Sequence, residues 1–283
     1  MSMKKQLQRL VPKAIGFGFN AGGLFFPNLM AKLAMNLFCR PRAGRIRPKD
    51  EIVLDTAERR GALTTAYGEI AHYTWNVSGK KSILLMHGWE SNSARWRSLQ
   101  KKLVQDDWKV IAIDAPAHGS SSNSAFDMIQ YIAAIHEAVQ TFEPSALVGH
   151  SVGGASICFY LSEYDYPAFE HIILLGTPTH LRQMFTSFGD AVGISSRVRT
   201  AVDAHFITTF DRSIDDISAP MMIQDVDIPT LIIHDEQDSV ISIADAKLYH
   251  DLFNHSELFI TTGYGHGLQH KVVFKKIVDF LSA

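Results

Sequence analysis

Cysteine is almost missing from this chain of 283 residues: there are two, Cys39 and Cys158, far apart in sequence. Two such cysteines exclude a disulfide framework and a CxxC-type metal site, and they suit a reducing compartment, the cytoplasm. Net charge is also scarce, at −2, so nothing points to a nucleic-acid partner. Neither an H-E-x-x-H nor an EF-hand spacing occurs, and no metal or cofactor is expected. Internal repeats and low-complexity segments are lacking as well. What is present is ordinary for a globular protein, 46% hydrophobic and 20% charged residues, in a length that suits one large domain or two small ones.

Acidic residues are absent altogether from residues 1–49, which carry ten Lys/Arg; the rest of the chain has 17 basic against 29 acidic residues. Within this basic segment lies the apolar stretch LVPKAIGFGFNAGGLFFPNLMAKLAMNLFC, interrupted by Pro12, Lys13, Pro27 and Lys32. It offers no unbroken run of the ~20 residues that span a bilayer. Three readings fit it. The preferred one is a packing arm on the main domain. The second is a membrane-surface anchor whose basic residues face anionic lipid. The third, a cleaved targeting peptide, is weakened by a poor apolar core and the lack of a small-residue cleavage site. The protein is therefore expected in the cytoplasm, with peripheral membrane contact through residues 1–49 left open.

From residue 50 onward, strand-like and helix-like stretches alternate. GEIAHYTWNV (68–77) places Ala71, Tyr73, Trp75 and Val77 on one face, as in an antiparallel strand with one side buried. Short continuous apolar runs follow at 82–86, 110–113, 146–148, 171–175, 230–234 and 257–261, the pattern of strands buried on both faces. Between them, 93–107, 126–142, 152–164, 244–253 and 270–281 repeat apolar residues at helical spacing. This alternation predicts an α/β domain with a mostly parallel central sheet and helices on both faces. The interval 177–229 has no good strand but scattered Phe and Met, including Phe185, Phe188, Phe206, Met221 and Met222. It is expected to be a small helical cap inserted between 50–176 and 230–283. Its apolar residues could line an acyl pocket or pack the cap's own core.

Parallel α/β sheets bind ligands at the C-terminal ends of their strands. The residues that follow the apolar runs here are HGWE, DAPAHGSS, GHSVGG, DEQDSV and TGYGHG, so a hydroxyl, carboxylates and histidines converge on one rim. Ser151 in LVGHSVGG is boxed by Gly149 and Gly153, as a sharp strand-to-helix turn requires. A serine needs an adjacent base, for which His266 in GYGHG is the candidate; Asp238 is the candidate acid that would hold the imidazole in the right tautomer. Asp235 rivals Asp238, and His270 is a weaker rival of His266. His87 and His118 are read as structural, and His150 as packing beside the serine.

With these motifs in this order, the chain resembles the α/β-hydrolase superfamily from about residue 50 to the C-terminus. LLMHGW is similar to the family's oxyanion loop, and IDAPAHGSS to its D-x-P-G-H-G-x-S signature. LVGHSVGG looks like the nucleophile elbow, LIIHDEQDSVI like the acid-bearing strand end, and GYGHG like the histidine loop. Ala117 and Asp235 stand where the family often has glycine. The resemblance implies a sheet of about eight strands, Ser151 as nucleophile, Asp238 as acid and His266 as base. It also implies that the backbone N–H groups of Trp89 and Val152 form the oxyanion hole.

The function so implied is a serine hydrolase cleaving a carboxylic ester or thioester of a small-molecule acyl substrate. A small to medium apolar acyl group is inferred from the apolar cap. C–C bond hydrolysis and perhydrolysis on the same triad are alternatives, as is a binding protein that keeps the fold without turnover. Dehalogenase and epoxide-hydrolase chemistry would require Asp at position 151. The oligomeric state leaves no mark in the sequence.

Overall fold

The computed structural model describes residues 3–224 and 226–282, with side chains described from residue 11 onward. Met1, Ser2, Asp225 and Ala283 lie outside the described residues; the first two belong to the expected arm and Asp225 to the expected cap interval. The chain forms two compact units, one made of the stretch up to Arg40 with His180–Ser218, the other of Pro41–Thr179 with the chain from Ala219 onward.

The larger unit holds one eight-stranded sheet, in the order β1-β2-β4-β3-β5-β6-β7-β8. Its strands are β1 (Arg59–Thr65), β2 (Gly68–Trp75), β3 (Lys81–Met86), β4 (Trp108–Ile113), β5 (Ala146–His150), β6 (His171–Leu175), β7 (Thr230–Asp235) and β8 (Ser256–Thr261). β1 pairs antiparallel with β2 and β2 antiparallel with β4, while every pairing from β4 through β8 is parallel. The apolar runs of the sequence become the central strands for a plain reason. Ile83, Leu84, Leu85 and Met86, like Ile172, Ile173 and Leu174, are fully buried, so successive residues on both faces are covered.

β1 has no counterpart among the expected strands. In RRGALTT only Leu63 is buried, so this edge strand shows neither alternation nor an apolar run; it exists through its register with β2, Leu63 opposite Ile70. The helices of this unit are α3 (Pro48–Leu54), α4 (Arg97–Gln105), α5 (Met128–Phe142), α6 (Val152–Glu163), α9 (Ala219–Met222), α10 (Ile243–Leu252) and α11 (Lys271–Leu281). Several start on side-chain caps: Asp127 accepts from Gln130 N–H at 2.7 Å, Ser242 from Ala244 N–H at 3.2 Å and His270 from Val272 N–H at 3.3 Å. His270, the rival base, is thus the N-cap of α11, and its ring stacks on Tyr264 at 3.9 Å.

The smaller unit is helical. It contains α1 (Met3–Gly23), α2 (Pro27–Phe38), α7 (Leu181–Val192) and α8 (Ser196–Phe210). Up to Arg40 the basic N-terminal segment groups with the helices of the interval, while 41–49 belongs to the larger unit. The physical reason lies in small residues. Gly16 lets α1 approach the end of α7 so closely that a Cβ there would fall 1.9 Å from the Val192 carbonyl oxygen. Asn20 adds hydrogen bonds, donating to Gly193 O at 2.9 Å and accepting from Ser195 N–H at 2.8 Å. The Phe residues of the interval serve this unit's interior: the Phe38 ring lies 4.1 Å from Phe185 and 5.3 Å from Phe188, and Phe185 lies 6.3 Å from Phe206. The helical unit ends at Ser218, inside the expected 177–229, and Met222 is buried within the larger unit.

Truncation should separate core from edge. Leu85→Ala, at a fully buried β3 position, is expected to lower stability by about 2–5 kcal/mol. Ala62→Ser, on the exposed face of β1, should stay within about 0.5 kcal/mol of the parent. Urea unfolding midpoints at constant slope check both.

Candidate active site

Because β3 to β8 run parallel, their C-terminal ends share one rim, and the chain turns there from strand into loop or helix. The turn after β5 is the sharpest. Ser151 sits at φ 54°, ψ −123°, in the left-handed half of backbone space that side chains disfavour, at a cost on the order of 1–3 kcal/mol. Its N–H donates to Leu175 O at 2.8 Å, and α6 begins at the next residue, Val152. The glycines are required by contact. A Cβ on Gly149 would lie 2.5 Å from Gly154, and one on Gly153 would lie 2.4 Å from Met86 O.

Opposite this turn, the loop after β8 brings His266 to Ser151. His266 Nε2 lies 3.1 Å from Ser151 Oγ, and His266 Nδ1 lies 2.7 Å from Asp238 Oδ2. A carboxylate only accepts, so Nδ1 carries the proton and Nε2 is left to accept from the serine hydroxyl. Ser151, Asp238 and His266 are thereby joined in one hydrogen-bonded line. The Asp238 side chain is fully buried while His266 is about one-fifth exposed. Burial pushes the Asp238 carboxyl upward, but the His266 bond and the N–H groups of Ile241 and Val240 outweigh it, so it stays below the usual carboxylate range.

Asp235, the rival acid, does other work. Fully buried at the end of β7, it accepts from Thr261 Oγ1 at 2.8 Å, Tyr264 N–H at 2.9 Å and Gln237 N–H at 3.0 Å. It ties β7 to the histidine loop, and these bonds outweigh the burial that would raise its carboxyl, so it too is held below the usual range. Two further residues brace that loop. His150 donates from Nε2 to the His266 carbonyl at 2.8 Å, and Arg95 donates to Gly267 O at 3.0 Å. Neither bracing role has a signal in the sequence, because each is a side-chain contact to backbone far away along the chain.

The loop after β3 reaches the same place. A Cβ on Gly88 would stand 2.9 Å from the Ser151 Cβ, so Gly88 backbone abuts the serine. His87 donates from Nδ1 to Gly88 O at 2.8 Å and accepts at Nε2 from Ala115 N–H at 2.9 Å. In a planar trans peptide, holding the Gly88 carbonyl on one side turns the Trp89 N–H to the other. His118 repeats the pattern, donating to Pro116 O at 2.8 Å and accepting from Glu90 N–H at 3.0 Å. Desolvation pulls both imidazoles down to about 4, so both are neutral linkers between the loops after β3 and β4. Ala117 takes φ 63° in that second loop, which explains why glycine suits the position. Cys158 is a buried thiol pushed up to about 12 by burial, a core residue. Among the described residues, no group of three or more His, Cys, Asp or Glu is placed to hold a metal ion.

Comparison with known proteins agrees with this architecture. Residues 81–196 match the model of a family described as alpha/beta hydrolase fold. A serine hydrolase-like protein of Danio rerio is 31% identical over 148 residues, covering 47% of this chain and 44% of the relative. A bifunctional esterase/perhydrolase of Acinetobacter calcoaceticus is 27% identical over 125 residues, 42% of this chain and 45% of the relative. The matched stretch thus spans under half of each of these two relatives. Among solved structures, an esterase from Exiguobacterium antarcticum superposes with a TM-score of 0.63 at 17% identity, over 80% of this chain and 100% of its own, a likeness of fold.

Two consequences of the geometry are measurable. Gly153→Ala should cost on the order of 1–3 kcal/mol, because its Cβ would press on Met86 O, and the urea midpoint should fall accordingly. Stability should also decline on acidification. Below the ordinary histidine value of 6.5 the unfolded chain takes up protons that folded His87 and His118 refuse until about 4, so unfolding is favoured across that window. Below it, Asp235 and Asp238 act in the same direction, since the stability from their lowered carboxyls is lost as they protonate. A urea midpoint that stayed level from pH 7 to about 4 would contradict the neutral assignment of these histidines.

Proposed function

We propose that the chain is a serine hydrolase of the α/β-hydrolase type cleaving a carboxylic ester or thioester of a small-molecule acyl substrate, a reading supported by the family match over residues 81–196 and by the sheet order. The observation that carries this reading is the pair of hydrogen bonds running from Asp238 through His266 to Ser151. Ser151 Oγ attacks the acyl carbonyl carbon as its proton passes to His266 Nε2. Asp238, bonded to Nδ1, stabilises the imidazolium that forms. The oxyanion accepts hydrogen bonds from the backbone of Val152, the first residue of α6, and of Trp89, whose peptide His87 orients. The intermediate collapses as His266 returns the proton to the leaving alcohol or thiol. Water then attacks the acyl-serine, giving its proton to His266, and the acid leaves as Ser151 regains its hydrogen. The loss of either oxyanion donor would raise the barrier by about 3 kcal/mol.

A second reading, perhydrolysis, is favoured by the Acinetobacter relative, whose name couples it to esterase activity. There hydrogen peroxide replaces water in the deacylation step and the product is a peracid. The two cysteines, one of them deeply buried, support a cytoplasmic setting for either reaction.

A fluorophosphonate probe should label the wild-type protein and fail to label Ser151→Ala and His266→Ala. Labelling that persists in Ser151→Ala would overturn the assignment. Asp238→Asn should lower kcat on p-nitrophenyl esters by about 10³–10⁴-fold, since an amide no longer enforces the Nδ1–H tautomer. Asp235→Asn should lower the unfolding midpoint, since its carboxylate bonds tie β7 to the loop after β8. Peroxide-dependent peracid formation, assayed beside ester hydrolysis, separates the second reading from the first.

A further inference from the structure

The helical unit wears part of its apolar surface outward. On α1, Gly16, Phe19, Asn20 and Gly23 face the unit's interior, at the spacing of one helix side. The opposite side carries Ala14, Phe17, Gly18 and Ala21 and continues into the turn to α2, where Leu24, Phe25 and Phe26 follow. A surface helix of a soluble protein places charged and polar residues there. Here Phe17 is 76% exposed, Phe25 78% and Phe26 64%, and Leu29 and Leu33 extend the surface along α2. These residues are not a loose end. The turn is closed by Leu24 N–H to Ala21 O at 3.3 Å, Phe25 N–H to Gly22 O at 3.2 Å and Phe26 N–H to Gly22 O at 2.8 Å. Its backbone is satisfied internally, and its side chains are held outward on a hairpin anchored through Asn20.

The second feature is charge. The only ionised side chains in residues 1–49 are cationic, and Lys13 on α1 and Lys32 on α2 are exposed, as is Arg40 beyond the end of α2. Among the described residues, no helix is long and apolar enough to cross a membrane. We propose that the α1–α2 hairpin docks the protein on the surface of an anionic membrane. Phe17, Leu24, Phe25 and Phe26 enter the boundary between headgroups and acyl chains, and the lysines and arginines meet lipid phosphates. The charge selects this occupant over a second copy of the chain. Two such hairpins face to face would bring cation against cation, whereas an anionic headgroup layer neutralises them. The docking is independent of catalysis and is tested without it.

The experiment is co-sedimentation of the full chain, carrying Ser151→Ala, with vesicles of phosphatidylcholine containing about one third phosphatidylglycerol, and with phosphatidylcholine alone. The parent should pellet with the anionic vesicles and far less with the neutral ones. Phe25→Ser with Phe26→Ser should weaken binding by at least ~10-fold with an unchanged circular dichroism spectrum, since both residues are exposed. Lys13→Glu with Lys32→Glu should erase the preference for phosphatidylglycerol. A parent that stays in the supernatant, or pelleting unaffected by the Phe substitutions, would overturn the proposal. So would a lipid-free dimer in sedimentation velocity that the Phe substitutions abolish, which would assign the surface to self-association.

Discussion

Everything at the rim hangs on the reversal of the chain at Ser151. A residue with a side chain is held at φ 54° because the sheet leaves no alternative: its N–H is committed to Leu175 O, and α6 must start within one residue of β5. That start demands three glycines in six positions, each pressed against backbone or a neighbouring side chain. The strain is offset by the surrounding fully buried strands, which together over-determine the turn. The result is a hydroxyl at the head of a helix, 3.1 Å from His266 Nε2.

His266 depends on a different kind of support. Its loop has almost no core of its own, and glycines at 263 and 265 adopt positive φ. It is fixed by side chains from elsewhere: Asp235 holds the backbone before it, His150 its own carbonyl, and Arg95 the carbonyl after it. An imidazole held 3.1 Å from Ser151 Oγ cannot be left to a mobile loop. The histidines after β3 and β4 apply the same logic to the other wall of the site. There two neutral imidazoles act as rigid two-ended connectors, donating to one carbonyl and accepting from one N–H each.

The helical unit follows other rules. Its interior is built from Phe rings and close glycine contacts, and its outer face on α1 and α2 is largely apolar, with cationic rather than acidic charges. In sequence this segment was ambiguous, because the same residues serve a packing arm, an anchor or a leader. From residue 14 to residue 23 one face of α1 is packed and the opposite face exposed, a division invisible until the packing partners, α7 and α8, are known.

The order of residue types along the chain was enough to determine a parallel α/β sheet, the strand ends where chemistry gathers, and the glycine-boxed turn at Ser151. These are local consequences of burial on two faces and of steric demand at a tight turn, and both are written in short stretches. What only the tertiary structure decided is which of several similar groups meet. Asp235 and Asp238 share one loop, and His266 and His270 lie four apart, yet the turn that bonds Asp238 N–H to Asp235 O sends one carboxylate to His266 and the other into the β7–β8 junction. β1 likewise appears only by pairing, since an exposed edge strand needs no apolar pattern. Selection among equivalent side chains depends on distances between segments remote in sequence, and no periodicity along one segment encodes them.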